Sequence, residues 1–167
     1  MLKILEIKGR KVYYEKNEIG NVENAIVDYR TKRITSLIIK PLDEKGIVFL
    51  SKINNLEIIN DMVYLKNEPY RVNMNSIKKA EVFFITNLFG KSVYDKDKRE
   101  IGSIVDIVLE KNSGDIIAFI VSMGFYDDLI TGRKLVFLKK EDLLKNGRAF
   151  VEGSNIEMIN QISLWSF

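Results

Sequence analysis

The chain has no cysteine and no histidine among its 167 residues. The first absence excludes disulfides and thiol chemistry. The second removes Ser-His and Cys-His nucleophile pairs, and the two together remove a structural zinc site of ordinary type. A bound metal would need oxygen ligands, and acid–base chemistry would fall to Asp, Glu, Lys or Tyr. No apolar run approaches the roughly 20 residues of a membrane-spanning helix. The N-terminal MLKILEIKGRKVYY lacks the apolar core and small-residue cleavage site of a signal peptide. A cytoplasmic protein is expected.

What is present is the balance of a folded globular chain, 46% hydrophobic and 29% charged. The net charge of +3 hides an asymmetry. Residues 1–80 carry 15 basic and 10 acidic side chains, whereas residues 81–167 carry 11 and 13. Opposite-sign halves suit mutual docking or different partners. Neither half is basic enough to argue for nucleic acid by charge alone.

The chain states one unit twice. Gly90–Val121 opens on a glycine and a short apolar pair, passes a charged turn, launches a strand at Ile101-Gly102 and returns through Asn112-Ser113-Gly114-Asp115 into an apolar strand. Gly9–Ile39 has the same grammar. Val12 matches Val93 at an offset of 81 residues, and Ile19-Gly20 matches Ile101-Gly102 at 82, which holds through Ile39 and Val121. Phe49 and Phe137 then align at 88, placing a six-residue insertion in the loop from Ser122 to Lys134. Ordered matches with gaps confined to turns indicate a tandem repeat. Two modules are expected, 1–80 and 81–167, with 66–80 as a linker or short connecting elements.

Short β-rich runs recur every eight to twelve residues, at Leu2–Lys8, Gly20–Tyr29, Ile34–Ile39, Ile47–Leu50 and Met62–Leu65 in the first copy, and from Val82–Ile85 in the second. One helical turn fits Ser51–Leu56. The expected class is all-β, as two small barrels or strongly bent sheets, since closure removes edges that so short a unit could not protect. Val105, Ile107 and Leu109 form a wholly apolar strand face where the first copy has Glu23, Ala25 and Val27, so something is expected to cover the outside of that strand.

In Gly90, Val93, Asp95, Ile101, Gly102, Ile104 and Asp106, followed by the Ser113-Gly114 turn and the strand Ile116–Val121, the second copy resembles the PRC-barrel family. The family is named after the cytoplasmic domain of the photosynthetic reaction centre H subunit. The first copy keeps Gly9, Val12, Ile19, Gly20 and Val22, but has Tyr14 and Asn24 at the two acidic positions and Lys32 in place of Gly114. The resemblance implies six-stranded barrel modules used mainly for protein–protein contact. Family settings include the reaction-centre subunit and a ribosome-maturation factor. The sequence shows neither a membrane anchor nor another domain ahead of the repeats, so neither function carries over directly.

No catalytic or cofactor-binding constellation emerges, and no metal site or small-molecule substrate is expected. Asp95, Asp97 and Glu100 lack EF-hand spacing and read as a solvated turn. Asp106 reads as a buried polar group bonded to backbone. Gly9, Gly20, Gly90, Gly102 and Gly114 read as structural turn or bulge positions, not a phosphate cradle. The runs Lys8–Lys11 and Arg30–Arg33 could meet phosphate, and the alternative function is an RNA- or ribosome-associated factor using the basic first module. The leading expectation is a non-enzymatic adaptor or scaffold that binds a protein or self-associates. Its candidate contact residues are Phe125, Tyr126, Asp127, Asp128 and Leu129 in the longer loop, with Trp165 and Phe167 in the tail. Packing of the loop against the first barrel, and of the tail onto the protein's own barrel, is the competing reading.

Overall fold

A computed structural model describes residues 1–139, 142–145, 148–151 and 156–159. It divides into two compact units, Ile4–Thr86 with Lys111–Asp115, and Met1–Lys3 with Asn87–Glu110 and the chain from Ile116 onward. These units differ from the two sequence copies in three short segments: 1–3 and 81–86 have changed places, and 111–115 joins the unit of the first copy.

The first copy runs through β1 (Leu2–Lys3), α1 (Ile4–Ile7), β2 (Lys11–Tyr14), β3 (Asn17–Asp28), β4 (Arg33–Pro41), β5 (Ile47–Ser51), β6 (Leu56–Ile59), β7 (Met62–Leu65), β8 (Tyr70–Asn73) and α2 (Met74–Lys79). The second comprises β9 (Phe83–Phe84), β10 (Ser92–Asp95), β11 (Glu100–Leu109), β12 (Ile116–Ser122), α3 (Phe125–Thr131), β13 (Arg133–Phe137), β14 (Leu143–Lys145), β15 (Arg148–Val151) and β16 (Ile156–Ile159). One sheet follows β6-β7-β2-β3-β4-β5-β8 and the other β14-β15-β10-β11-β12-β13-β16, so the all-β repeat holds strand for strand. No ladder among the described residues joins the ends of either path, so their hydrogen bonds do not close either sheet.

Register confirms the offset of 82 across the central hairpins. Val22 faces Ile39 as Ile104 faces Val121, and both ladders bulge before the next pair, Asn24–Ile38 and Asp106–Ile120. The bulged residues do the same work: Asn24 Oδ1 accepts from the Ala25 amide at 2.9 Å, and buried Asp106 Oδ1 from the Ile107 amide at 2.7 Å. The six-residue insertion is corrected to three. Ile38 faces Leu50 whereas its counterpart Ile120 faces Leu135, an offset of 85, and Phe137 sits opposite Ala118.

The leading strands are exchanged. β1 pairs with β11 (Leu2 to Leu109), and β9 pairs with β3 (Phe83 to Val27). Each copy's first strand thus completes the sheet of the other copy's unit.

Two expectations for local structure are corrected. Ile4–Ile7 is a helical turn that buries Ile4 and Ile7, not a continued strand. Of the two readings for 66–80, short connecting elements hold: β8 pairs with β5, and α2 starts at Asn73, whose side chain accepts from the Asn75 amide. From α2, Ile77 packs with Ile38 and Val48 against the sheet, joined by Val72, Val82 and Phe84. In the other unit, Val108, Ala118 and Ile120 pack with Val105, Leu135 and Phe137, while Ile107 and Leu109 are also buried, so β11 is covered on both faces. The second corrected expectation is the loop after β12, which forms the helix α3.

Candidate interaction surface

α3 is bracketed by two glycines in left-handed backbone, Gly124 at φ 124° and Gly132 at φ 78°. Over seven residues at 100° per residue, Phe125, Tyr126, Leu129 and Ile130 fall within an arc of about 140°, while Asp127, Asp128 and Thr131 occupy the remainder. Such a helix ordinarily turns its apolar side to the core. Here Asp128 alone turns inward, while Asp127 and Thr131 stay exposed. Asp128 Oδ2 accepts from Ser122 Oγ at 2.8 Å and from Arg133 Nε at 3.2 Å. Ser122 Oγ in turn accepts from the Gly124 amide at 3.1 Å, and Thr131 Oγ1 donates to the Asp127 carbonyl at 2.9 Å.

The apolar side points to solvent. Phe125 is 74% exposed, Tyr126 80%, Leu129 64% and Ile130 83%, with the Phe125 and Tyr126 rings edge to face at 5.8 Å. Within their own unit these side chains stay uncovered by the described residues. Asp128, expected among the contact residues, instead anchors the helix, with only 12% of its side chain exposed. Asp127 stays exposed beside the apolar arc. Ser122 and Arg133 were invisible as partners of Asp128 because only the fold brings the ends of β12 and β13 together. Trp165 and Phe167 lie outside the described residues.

The glycines differ in place and in surroundings, and Gly114 combines a positive φ with a close approach, since a Cβ there would meet the Ile34 carbonyl oxygen at 2.7 Å. Gly9, Gly90 and Gly114 sit in or beside turns at φ between 72° and 82°. Gly20 and Gly102 lie inside β3 and β11, not in turns, where the neighbouring strand passes close. A Cβ on Gly20 would meet the Lys40 carbonyl oxygen at 2.0 Å, and one on Gly102 the Ser122 oxygen at 2.4 Å.

The basic runs are partly neutralised within their unit. Arg10 pairs with Asp61 at 3.0 Å, Lys11 with Glu18 at 2.8 Å, Arg33 with Asp115 at 2.7 Å, and Arg71 with Glu44. The Lys11 hydrogen bond holds the Glu18 carboxyl below its ordinary range, against the opposing effect of desolvation. The acidic turn closes on itself, Asp95 Oδ1 accepting from the Asp97 and Arg99 amides at 2.9 and 2.8 Å. Among the described residues no group of three or more acidic side chains is placed to hold a metal, and no helix is long and apolar enough to cross a membrane. Two grooves open at corresponding places in the copies, about 570 Å³ beside Pro41–Gly46 and about 410 Å³ beside Ser122–Gly124. Glu44, on the rim of the first, is already engaged by Arg71.

The model of the PRC-barrel domain matches residues 1–69 and again 80–149. Among curated proteins, the ribosome maturation factor RimM of Clostridium acetobutylicum is 24% identical over 128 residues, covering 75% of this chain and 72% of that protein. RimM of Clostridium botulinum is 27% identical over 106 residues, 62% of this chain and 61% of its own length. Both matched stretches are longer than either sequence copy, so the similarity runs across the repeat.

Proposed function

The chain belongs to the PRC-barrel family through two tandem copies, and from that premise we propose that it is a non-enzymatic adaptor that binds protein through the exposed side of α3. The outward-facing apolar side of that helix, held by the inward-turned Asp128, carries the reading. Three hydrogen-bonded side chains hold four large apolar groups in water, a cost offset when a partner covers them. Affinity capture from the native cell tests it. Phe125→Ser and Ile130→Asp are expected to lose the wild-type partner, and retention of every partner by both variants would sink the reading.

A second reading, a cytoplasmic factor acting in ribosome maturation, is favoured by the two RimM relatives and by the net positive first copy. The ion pairs of Arg10, Lys11, Arg33 and Arg71 leave less free charge for RNA than the sequence implies. Co-sedimentation with ribosomal subunits at two salt concentrations separates the cases. A phosphate-based contact falls away steeply with salt, and an apolar protein contact persists.

A further inference from the structure

We infer that the partner of α3 is a second copy of this chain, the two helices packing face to face through Phe125, Tyr126, Leu129 and Ile130. The inference rests on the contact-surface reading above and names the occupant.

Shape is the first argument. Phe125 with Leu129 and Tyr126 with Ile130 are two parallel i, i+4 ridges with a groove between them. Ridges of this spacing interlock with an identical set on a second helix. A surface that carries both the ridge and its matching groove is self-complementary, as a two-fold interface requires.

Charge is the second. A two-fold contact sets each central residue against its own kind, so a charge at the centre would repel itself. The helix removes that obstacle: Asp128 is turned inward onto Arg133 and Ser122. Asp127 lies outside the apolar arc, at the rim, where water screens it.

Area is the third. Aromatic side chains offer roughly 150–250 Å² each, so Phe125 and Tyr126 at their observed exposure, with Leu129 and Ile130, form a patch on the order of 500 Å². Two such patches facing each other remove on the order of 1,000 Å² from water, the size at which a specific interface becomes sustainable. The contact is accordingly expected to be of moderate strength, formed at micromolar concentrations.

Light scattering and sedimentation of the full chain from about 1 to 100 μM test this. The wild type is expected to reach twice the 19.3 kDa chain mass. Leu129→Asp and Ile130→Asp are expected to weaken association at least tenfold while far-UV circular dichroism stays unchanged, since both side chains touch solvent. Because the chain has no cysteine, Tyr126→Cys supplies a sole thiol. A short bis-maleimide is expected to link two copies of it, and Lys66→Cys is the control. A wild type that remains monomeric at about 100 μM overturns the inference, whether α3 is then covered by residues 160–167 or by another protein. A dimer that survives both aspartate variants also overturns it. If the wild type is monomeric and Ile130→Asp still abolishes capture of a different protein, self-association fails while the adaptor reading stands.

Discussion

Arg33 and Asp115 occupy the same position in the two sequence copies, 82 residues apart, and they touch. Arg33 Nε donates to Asp115 Oδ1 at 2.7 Å, their backbones form an isolated antiparallel bridge, and the Ile34 amide donates to the Gly114 carbonyl at 2.8 Å. The returning turn of the second copy is thereby built into the unit formed by the first. Ser113 Oγ donates to the other carboxylate oxygen of Asp115 at 2.6 Å.

This pair makes folding acid-sensitive in a defined direction. The Arg33 hydrogen bond, then that of Ser113, hold the Asp115 carboxyl below its ordinary value of 3.8. A carboxyl lowered in the folded state contributes stability above its unfolded value and loses it as pH falls through the folded one. Thermal melts are expected to drop below about pH 4 in the wild type, and less steeply in Asp115→Asn. At neutral pH that variant should cost no more than about 1 kcal/mol, because both side chains are half exposed. An unchanged acid limb in Asp115→Asn would count against the account.

Gly90 and Gly102 should respond differently to alanine. Gly90 at φ 72° has nothing within 4 Å of an added Cβ, so Gly90→Ala meets only the backbone cost of about 1–2 kcal/mol. Gly102→Ala adds a clash with the Ser122 oxygen at 2.4 Å and the Val121 side chain at 2.7 Å. Urea unfolding is expected to rank Gly102→Ala as the more damaging by at least about 1 kcal/mol, and equal losses would refute the close-approach argument.

Asp128→Ala removes the acceptor shared by Ser122 and Arg133 and should cost about 1–3 kcal/mol. Amide exchange across Phe125–Thr131 is expected to accelerate in that variant, with β3 and β4 unaffected. Unchanged protection of α3 would mean the helix is held by something other than its polar face.

Tyr29 offers a stabilising change. Its ring lies against Phe83 with centroids 3.8 Å apart, while its buried hydroxyl has no hydrogen-bond partner among the described residues. Burial pushes its pKa up to about 12 from an ordinary 10.0. A raised value means the folded state resists ionisation, so stability is intact below pH 10 and declines as pH rises from 10 through 12. Tyr29→Phe keeps the ring, should gain up to about 1 kcal/mol at neutral pH, and should flatten the alkaline decline. A loss of stability on this change would show that the hydroxyl is satisfied.

The repeat was legible because glycines and apolar residues kept their spacing through the hairpins, where Val22–Ile39 and Ile104–Val121 share one register. The insertion was mis-sized because Phe49 and Phe137 are alike in type, whereas backbone pairing, which type does not report, places Leu135 opposite Ile120. Ile4 and Ile7 carried the three-residue spacing of a helical turn inside what looked like alternation. Asn73 as a cap and Ile77 as a buried position were the signals for α2, masked by polar neighbours. For α3 the i, i+4 pairs were present, but their outward orientation depends on Ser122 and Arg133, which only the folded chain brings to Asp128. The partnership of Arg33 with Asp115 had no sequence signal of its own, since complementary charges occur throughout the chain.

The exchanged leading strands also bear on when the protein can fold. Leu2 waits for Leu109, across almost two thirds of the chain, and the unit begun at Ile4 stays incomplete until Lys111–Asp115 has been made. Contacts of such separation slow folding because loop closure must come first. During synthesis at about 5–20 residues per second, neither unit can be finished by the stretch of chain that begins it. A nascent chain halted at the boundary between the copies would hold one unpaired leading strand and one open place on β3.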